Sequence, residues 1–150
     1  MLDHASQTIA RISSLTEGET DVISDMATVA CELFLGDDRF DWVGFYRVVG
    51  PELLKIGPYQ GGHGCLVIPF SRGVCGACAT TRRTIIVPDV AAFDGHIACA
   101  TSTKSEIVLP VFNPAGILIG VLDIDSDQPG AFDEQDRLSL ERMLNKVFGR

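Results

Sequence analysis

The segment HIACATSTKSEIVLP, residues 96–110, places a cysteine in a setting that suits chemistry. Cys99 has small and hydroxyl-bearing neighbours, whereas a structural cysteine usually behaves as a small apolar residue among aliphatic side chains. Such neighbours leave room for a ligand and supply hydrogen-bond donors for an oxygen atom. A single loop cysteine is more often a half-buried residue without a task, so the interpretation of Cys99 depends on the residues that accompany it.

Two further cysteines, Cys65 and Cys75, also lie in glycine- or hydroxyl-rich segments. Cys75 falls near the first turn of a predicted helix, where unpaired amides, the helix dipole and nearby Arg72 favour a thiolate. Five cysteines are an odd number in a chain whose N-terminal residues lack the pattern of a secretory signal. Because structural disulfides are rare in reducing compartments, reactive, redox or metal-binding roles are favoured.

Acidic and aromatic side chains accompany these thiols. Asp123 and Asp125 end a strongly apolar strand, and residues two apart in a strand point to the same face. When two carboxylates lie so close together, their repulsion raises the affinity of the pair for one proton, so the pair could donate a proton or bind a cation. Glu106 opens the neighbouring strand, in a register that the sequence does not fix. Trp42 and Tyr46 are four residues apart on a strand, so they share a face and could form an aromatic wall. An aromatic wall, acidic groups and a reactive thiol together predict a small amino-acid-like substrate that the thiol attacks.

A calcium site is one alternative. Asp123, Asp125, Asp127 and Glu134 match the acidic positions of an EF-hand loop. The glycine that such a loop requires is Gln128 instead, and the preceding residues are typical of a strand and not of a helix. The sequence therefore disfavours calcium.

Zinc is a second alternative. Cys75 and Cys78, with His96 and Cys99 further along, could supply four ligands, but His96 and Cys99 are only a weak version of the second compact ligand pair of structural zinc sites. A thioredoxin-like dithiol at Cys75 and Cys78 lacks the surrounding βαβ pattern. The glycine-rich segment 57–65 has no Gly-Lys-Ser/Thr ending, so we interpret it as a covering loop and not as a phosphate-binding loop. We expect no metal and no cofactor.

Composition limits the partners. The chain has 150 residues, with 20 acidic and 12 basic residues and a net charge of −8. An acidic surface disfavours nucleic acid and anionic membranes, which are bound through excess lysine and arginine. We expect a cytoplasmic protein.

Periodicity predicts an α+β fold in a single domain, residues 1–150. Apolar residues at helical spacing begin at Leu2, a second helix is capped by Thr20, and a closing helix is capped by Asp133. Alternating patterns predict an antiparallel sheet of about five or six strands with a short helix inserted after the third. These strands are predicted over residues 42–49, 53–56, 66–70, 84–87, 106–112 and 117–125. The outer helices carry apolar stripes, which would permit a homodimer.

The chain resembles the free methionine-(R)-sulfoxide reductases, a family of stand-alone GAF-domain enzymes. The resemblance covers nearly the whole chain, and Cys65, Cys75 and Cys99 keep the family's spacings of ten and twenty-four residues. The matching segments are DWVGFY (41–46), GPYQG (57–61), RGVCG (72–76), FDGHIAC (93–99), SEIVLP (105–110) and GVLDIDS (120–126).

The resemblance implies a GAF-like fold, with N- and C-terminal helices on one face of the sheet and loops plus a short helix over a site on the other. It implies reduction of free methionine-(R)-sulfoxide. A thiolate at Cys99 would attack the sulfoxide sulfur, whose oxygen must gain protons, pass to the cysteine as a sulfenic acid and finally leave as water. The resulting sulfenic acid would condense with a second thiol to form a disulfide. By similarity, Cys65 resolves the intermediate, with Cys75 as the alternative partner or nucleophile.

The same likeness implies roles for the acids and aromatic residues. The three carboxyl groups (Glu106, Asp123, Asp125) would hold the substrate ammonium and protonate or polarise the sulfoxide oxygen, and Trp42 and Tyr46 would pack against the methyl-thio end. A thioredoxin-type protein would restore the dithiol. Two features depart from the pattern: Ala100 stands where the family commonly has an acid, and Cys78 has no counterpart.

Two other functions fit a GAF-like chain. One is a sensory module that binds a small ligand without turnover, because fold does not fix function. The other is a passive redox sensor in which Cys65 and Cys99 merely form a disulfide.

Overall fold

The computed structural model of the chain describes residues 3–96 and 100–149. Two helices lead into six strands, a third helix lies between the third and fourth strands, and a fourth helix closes the chain. A single 3-10 turn, Val90–Ala92, follows the fourth strand. The elements are α1 His4–Leu15, α2 Val22–Gly36, β1 Trp42–Gly50, β2 Leu53–Gln60, β3 Val67–Pro69, α3 Gly73–Thr81, β4 Ile85–Val87, β5 Ser105–Phe112, β6 Leu118–Ser126 and α4 Glu134–Phe148.

The strands form one antiparallel sheet in the order β3-β2-β1-β6-β5-β4. The two central strands, β1 and β6, are the longest, and they are covered on both faces. This arrangement confirms the α+β, GAF-like prediction and its upper strand number.

The two faces of the sheet have separate cores. On one face α1, α2 and α4 pack on apolar side chains that include Phe45, Leu122 and Ile124. On the other face α3 and the connecting segments pack around Trp42 and Tyr46. Because side chains alternate along a strand, β1 and β6 supply both cores at once.

The second strand is longer than its sequence pattern predicts. Residues 57–60, expected as part of the covering loop, belong to β2, and Tyr59 and Gln60 pair with β1, so the covering loop is restricted to residues 61–66. Pro58 is tolerated because β3 pairs with β2 only at Leu53, Leu54 and Lys55, which leaves the outer edge free of ladder bonds at the proline.

Helix α2 is capped by Asp21 and not by Thr20 as predicted. The Asp21 carboxylate accepts hydrogen bonds from the amides of Ile23 and Ser24, and a carboxylate also complements the positive end of the helix dipole. The predicted cap of α4 is correct: Asp133 accepts from the Asp136 amide, and Asp136 reaches back in a capping box. Within the described residues, none of the helices combines the length and apolarity that crossing a membrane requires.

Candidate functional site

A small cavity of about 40 Å³ lies on the α3 face of the sheet. Its floor is formed by β1, β5 and β6, and its sides by the loop at residues 61–66 and the first turns of α3. At roughly 10–15 Å³ for each water molecule, this volume holds a few waters. The lining includes Trp42, Tyr46, His63, Gly64, Cys75, His96, Ala100, Thr103, Glu106, Asp123 and Asp125.

Three carboxyl groups share the cavity floor. The register of β5 and β6 places Glu106 directly opposite Asp125, and Asp123 lies two residues along the same face. Glu106 and Asp123 are 5% and 6% exposed. One oxygen of each of the three groups is buried without a hydrogen-bond partner among the described residues. Buried polar atoms are rarely left unpaired, so these oxygens await a ligand or a proton.

Burial is the main reason that the pKa of each of these acids is raised. For Glu106, the charges of Asp123 and Asp125 raise the pKa further. The pKa of Asp125 is raised by burial and by Asp123. The pKa of Asp123 is raised by burial, which outweighs the opposing effect of hydrogen bonds from Glu106 and Cys75. The cluster therefore retains protons at a pH where exposed carboxyl groups are ionised.

The aromatic side chains of β1 form a wall beside the carboxyl groups, with Trp42 directly across from Asp125 on the neighbouring strand. The rings of Trp42 and Tyr46 are stacked with centroids 6.0 Å apart, and Tyr59 stacks on the outer side of Trp42 at 5.5 Å. The indole Nε1–H of Trp42 donates a hydrogen bond of 2.6 Å to the carbonyl oxygen of Gly62. This bond ties the covering loop to the wall.

The loop approaches the wall so closely that it needs a glycine. A Cβ atom on Gly64 would lie 2.9 Å from Cζ2 of Trp42 and 3.0 Å from the hydroxyl oxygen of Tyr46. Burial, followed by the charge of Asp123, raises the pKa of Tyr46, so its hydroxyl stays protonated and can donate a hydrogen bond into the cavity.

Cys75 lies in the first turn of α3, as expected, but its thiol is not activated there. The side chain is 4% exposed, and burial followed by the charges of Asp123 and Glu106 raises its pKa. These effects outweigh the helix dipole, so the expectation of a thiolate at Cys75 is wrong. Cys78 is fully buried in the same core, and burial also raises its pKa.

The remaining cysteines differ in state. Cys65 is half-buried within the covering loop and takes part in a disulfide, whereas Cys31, Cys75 and Cys78 are free. Cys99, the predicted nucleophile, lies outside the described residues. His96, which the sequence indicated only as a zinc ligand, lines the cavity with its Nε2 atom 3.8 Å from Oε1 of Glu106.

The metal sites considered from sequence do not match this geometry. Asp123 and Asp125 are held in β6 between two partner strands, which is incompatible with a calcium-binding loop. Among the described residues, Cys75 is grouped with Glu106 and Asp123 and not with Cys78. That grouping could not be read from the sequence, because it depends on how α3 packs over β5 and β6.

Comparisons with known proteins agree with the fold. The family model of the GAF domain matches residues 16–147. The chain is 39% identical over 135 residues to the free methionine-R-sulfoxide reductase of Escherichia coli (strain K12), a match that covers 90% of this chain and 81% of that protein. It is 44% identical over 136 residues to GAF domain-containing protein A of Dictyostelium discoideum, covering 91% and 85%.

A solved structure of a related enzyme has the same fold. The structure of the free methionine-R-sulfoxide reductase from Neisseria meningitidis, in complex with its substrate, matches with a TM-score of 0.90 and 38% identity, covering 98% of this chain and 89% of that one. The fold and the family model together define a GAF domain. More narrowly, the chain belongs to the free methionine-R-sulfoxide reductase family, and it is an oxidoreductase.

Proposed function

We propose that this protein reduces free methionine-(R)-sulfoxide to methionine in a thiol-dependent reaction. The observation that carries the proposal is the cavity itself: three carboxyl groups, each with a buried oxygen that has no hydrogen-bond partner among the described residues, lie beside an aromatic wall in a member of this family. An ammonium group and a sulfoxide oxygen would satisfy those oxygens, the first as a cation and the second by sharing a proton. The apolar methyl-thio end would contact Trp42 and Tyr46.

Cys99 is the proposed nucleophile, by family resemblance. Its thiolate attacks the sulfoxide sulfur, and the oxygen passes to the cysteine sulfur, so that methionine and a sulfenic acid are formed. The acid cluster supplies the proton that the sulfoxide oxygen needs as its bond to sulfur weakens. The raised pKa values of Glu106 and Asp125 support this donor role, because a carboxyl group can donate only while it is protonated.

Cys65 is the proposed resolving cysteine. Its thiol would attack the sulfenic acid, releasing water and leaving a disulfide. Two observations favour Cys65 over Cys75: Cys65 is disulfide-bonded, and the free Cys75 is buried with a raised pKa. A thioredoxin-type protein would then supply two electrons and two protons to restore both thiols.

The substrate is proposed to be the free amino acid and not a peptide. The cavity is small and covered by the loop at residues 61–66, and its acids are placed to receive a free ammonium group. A peptide bond at that nitrogen would remove the charge and require space for the preceding residue. A peptide containing methionine sulfoxide should therefore not be reduced.

Two copies of the chain are proposed to form a homodimer through the outer helices. Leu15, at the end of α1, and Val22 and Ile23, at the start of α2, are 55%, 42% and 49% exposed. Sedimentation of the purified protein, compared with an Ile23→Glu variant, tests this assembly. A monomeric parent protein contradicts it.

The reaction is tested by incubating the protein with each epimer of free methionine sulfoxide and dithiothreitol, and measuring methionine. We expect only the R epimer to be consumed, with loss of turnover in Cys99→Ser and retention in Cys31→Ser. Binding of the sulfoxide without release of methionine would indicate a sensory module. Disulfide formation with peroxide alone, without turnover, would indicate a redox sensor.

A further inference from the structure

Three side chains of the cavity together present ligand atoms for a metal ion, a combination that the proposed reaction does not require. The sulfur of Cys75 and one carboxylate oxygen each from Glu106 and Asp123 lie within 4.8 Å of one another. The three side chains come from α3, β5 and β6, and each is at least nine-tenths buried. Three rigid elements therefore hold a thiol and two carboxyl groups around one point.

Each carboxyl group in this set has one buried oxygen without a hydrogen-bond partner among the described residues. Oε1 of Glu106 and Oδ1 of Asp123 accept no hydrogen bond from any described residue. No lysine or arginine lines the described part of the cavity. The Nε2 atom of His96 lies 3.8 Å from Oε1 of Glu106, beyond hydrogen-bonding distance. Buried carboxyl groups in this state are costly unless they are protonated or meet a cation.

We propose that Zn²⁺ binds reversibly to Cys75, Glu106 and Asp123 and thereby blocks the cavity. Zinc accepts thiolate and carboxylate ligands in tetrahedral geometry, with the ligand atoms about 3.5 Å apart at ordinary bond lengths. The observed spacing needs to contract by about 1 Å, within the reach of side-chain rotation. Calcium and magnesium prefer oxygen ligands throughout, so the buried thiol selects zinc over both.

Binding replaces the Cys75 S–H proton with a metal bond and releases that proton to solvent. The metal would occupy the position where the proposed reaction needs the substrate ammonium and the proton donor, so zinc and substrate exclude each other. The binding site stands on its own geometry, and only the competition depends on the proposed function.

The test uses Co²⁺ as a spectroscopic probe, on the full chain with the Cys65 disulfide intact so that Cys65 cannot supply a ligand. We expect one equivalent of Co²⁺ to give the thiolate-to-cobalt charge-transfer band and the visible bands of a tetrahedral site, both abolished by Zn²⁺. Cys75→Ala should remove the charge-transfer band. Cys78→Ala, a matched variant in the same helix and the same core, should retain it.

Glu106→Gln and Asp123→Asn should each weaken Co²⁺ binding at least tenfold, as measured from the fluorescence of Trp42, the one tryptophan of the chain, which lines the cavity. Absence of the band in the parent protein overturns the proposal, as does a band that survives Cys75→Ala. If Cys75→Ala does not fold, judged by circular dichroism, Cys75→Ser replaces it under the same criteria.

A kinetic experiment then separates the two claims. With a reductant that does not chelate zinc, Zn²⁺ should raise KM for the sulfoxide and leave kcat unchanged. Metal binding at Cys75 without an effect on KM overturns the competition and leaves the site. Metal binding by a protein that shows no sulfoxide reduction overturns the proposed function and leaves the site.

Discussion

Cys65 and Cys75 are the two candidates for the resolving cysteine, and substitutions should distinguish their roles. Cys65→Ser should lose most turnover supported by a thioredoxin-type reductant but keep a fast first release of methionine, because the nucleophile remains while the disulfide cannot form. Cys75→Ala should keep turnover, since burial raises the pKa of the Cys75 thiol and so disfavours the nucleophilic thiolate. Rapid-quench measurement of methionine distinguishes the first turnover from later ones. The reverse pattern would assign the resolving role to Cys75.

Glu106 should control the alkaline side of the pH profile. Its pKa is raised, mainly by burial, so the proton-donating form persists above the usual range of a carboxyl group and is lost as the pH rises further. Glu106→Gln should lower kcat by about 10²- to 10⁴-fold, the usual contribution of a positioned acid, and should remove the alkaline decline. The pH dependence of kcat for the R epimer measures both effects.

The control for that experiment is Glu17→Gln, which changes an exposed acid beyond the end of α1. It should leave the profile unchanged. An alkaline decline of the same shape in Glu106→Gln would show that another group donates the proton.

At the scale of elements, the covering loop offers a matched pair of glycines. A Cβ on Gly64 would come within 3.1 Å of Trp42, Tyr46 and Ile56, whereas a Cβ on Gly62 would meet nothing within 4 Å. Gly64→Ala should therefore lift the loop from the aromatic wall and raise KM by about tenfold or more, which corresponds to about 1.4 kcal/mol of binding free energy. Gly62→Ala should have little effect. Steady-state kinetics of both variants test this, and equal effects would mean that the contact with the wall is unimportant.

Sequence patterns predict the helices and strands better than they predict how these elements pair and pack. Alternation along β1 and β6 places Trp42 with Tyr46 and Asp123 with Asp125, because a period of two is intrinsic to an extended chain. The position of Glu106 opposite Asp125 depends on strand register, which turn geometry and the core set together. Propensity likewise stops β2 at the residues before Pro58, although a strand with a free edge accommodates a proline.

The state of a side chain is harder still to predict. The sequence places Cys75 at a helix start, and that position alone favours a thiolate. The opposite outcome arises because α3 packs over the acids of β5 and β6, a contact between residues that are about 30 to 50 positions apart in the chain. Electrostatic effects of this kind follow from tertiary packing, which no local pattern contains.

In the molecule as a whole, one face of the sheet carries the helix-covered hydrophobic core and the other face carries the candidate site. Ile124 and Asp125 are adjacent in β6 and point in opposite directions, the first into the helix-covered core and the second into the cavity. Ile124 is fully buried, so Ile124→Ala should lower the free energy of unfolding by about 2 to 5 kcal/mol. Its kcat should remain close to that of the parent protein wherever the variant is folded.

Asp125→Asn should have the opposite effects, losing activity while gaining stability. The folded-state pKa of Asp125 is raised above its ordinary value of 3.8, mainly by burial, so the folded protein holds a proton that the unfolded chain releases. That contribution to stability is complete below pH 3.8 and is lost as the pH rises towards the raised pKa. Because asparagine does not ionise, the variant should be more stable near neutral pH, and its stability should fall less steeply with pH. Urea unfolding from about pH 5 to about pH 8 measures both quantities. If the dependence of stability on pH is the same in the variant and the parent protein, Asp125 is already ionised in the folded protein. Asp125 could then not act as a proton donor.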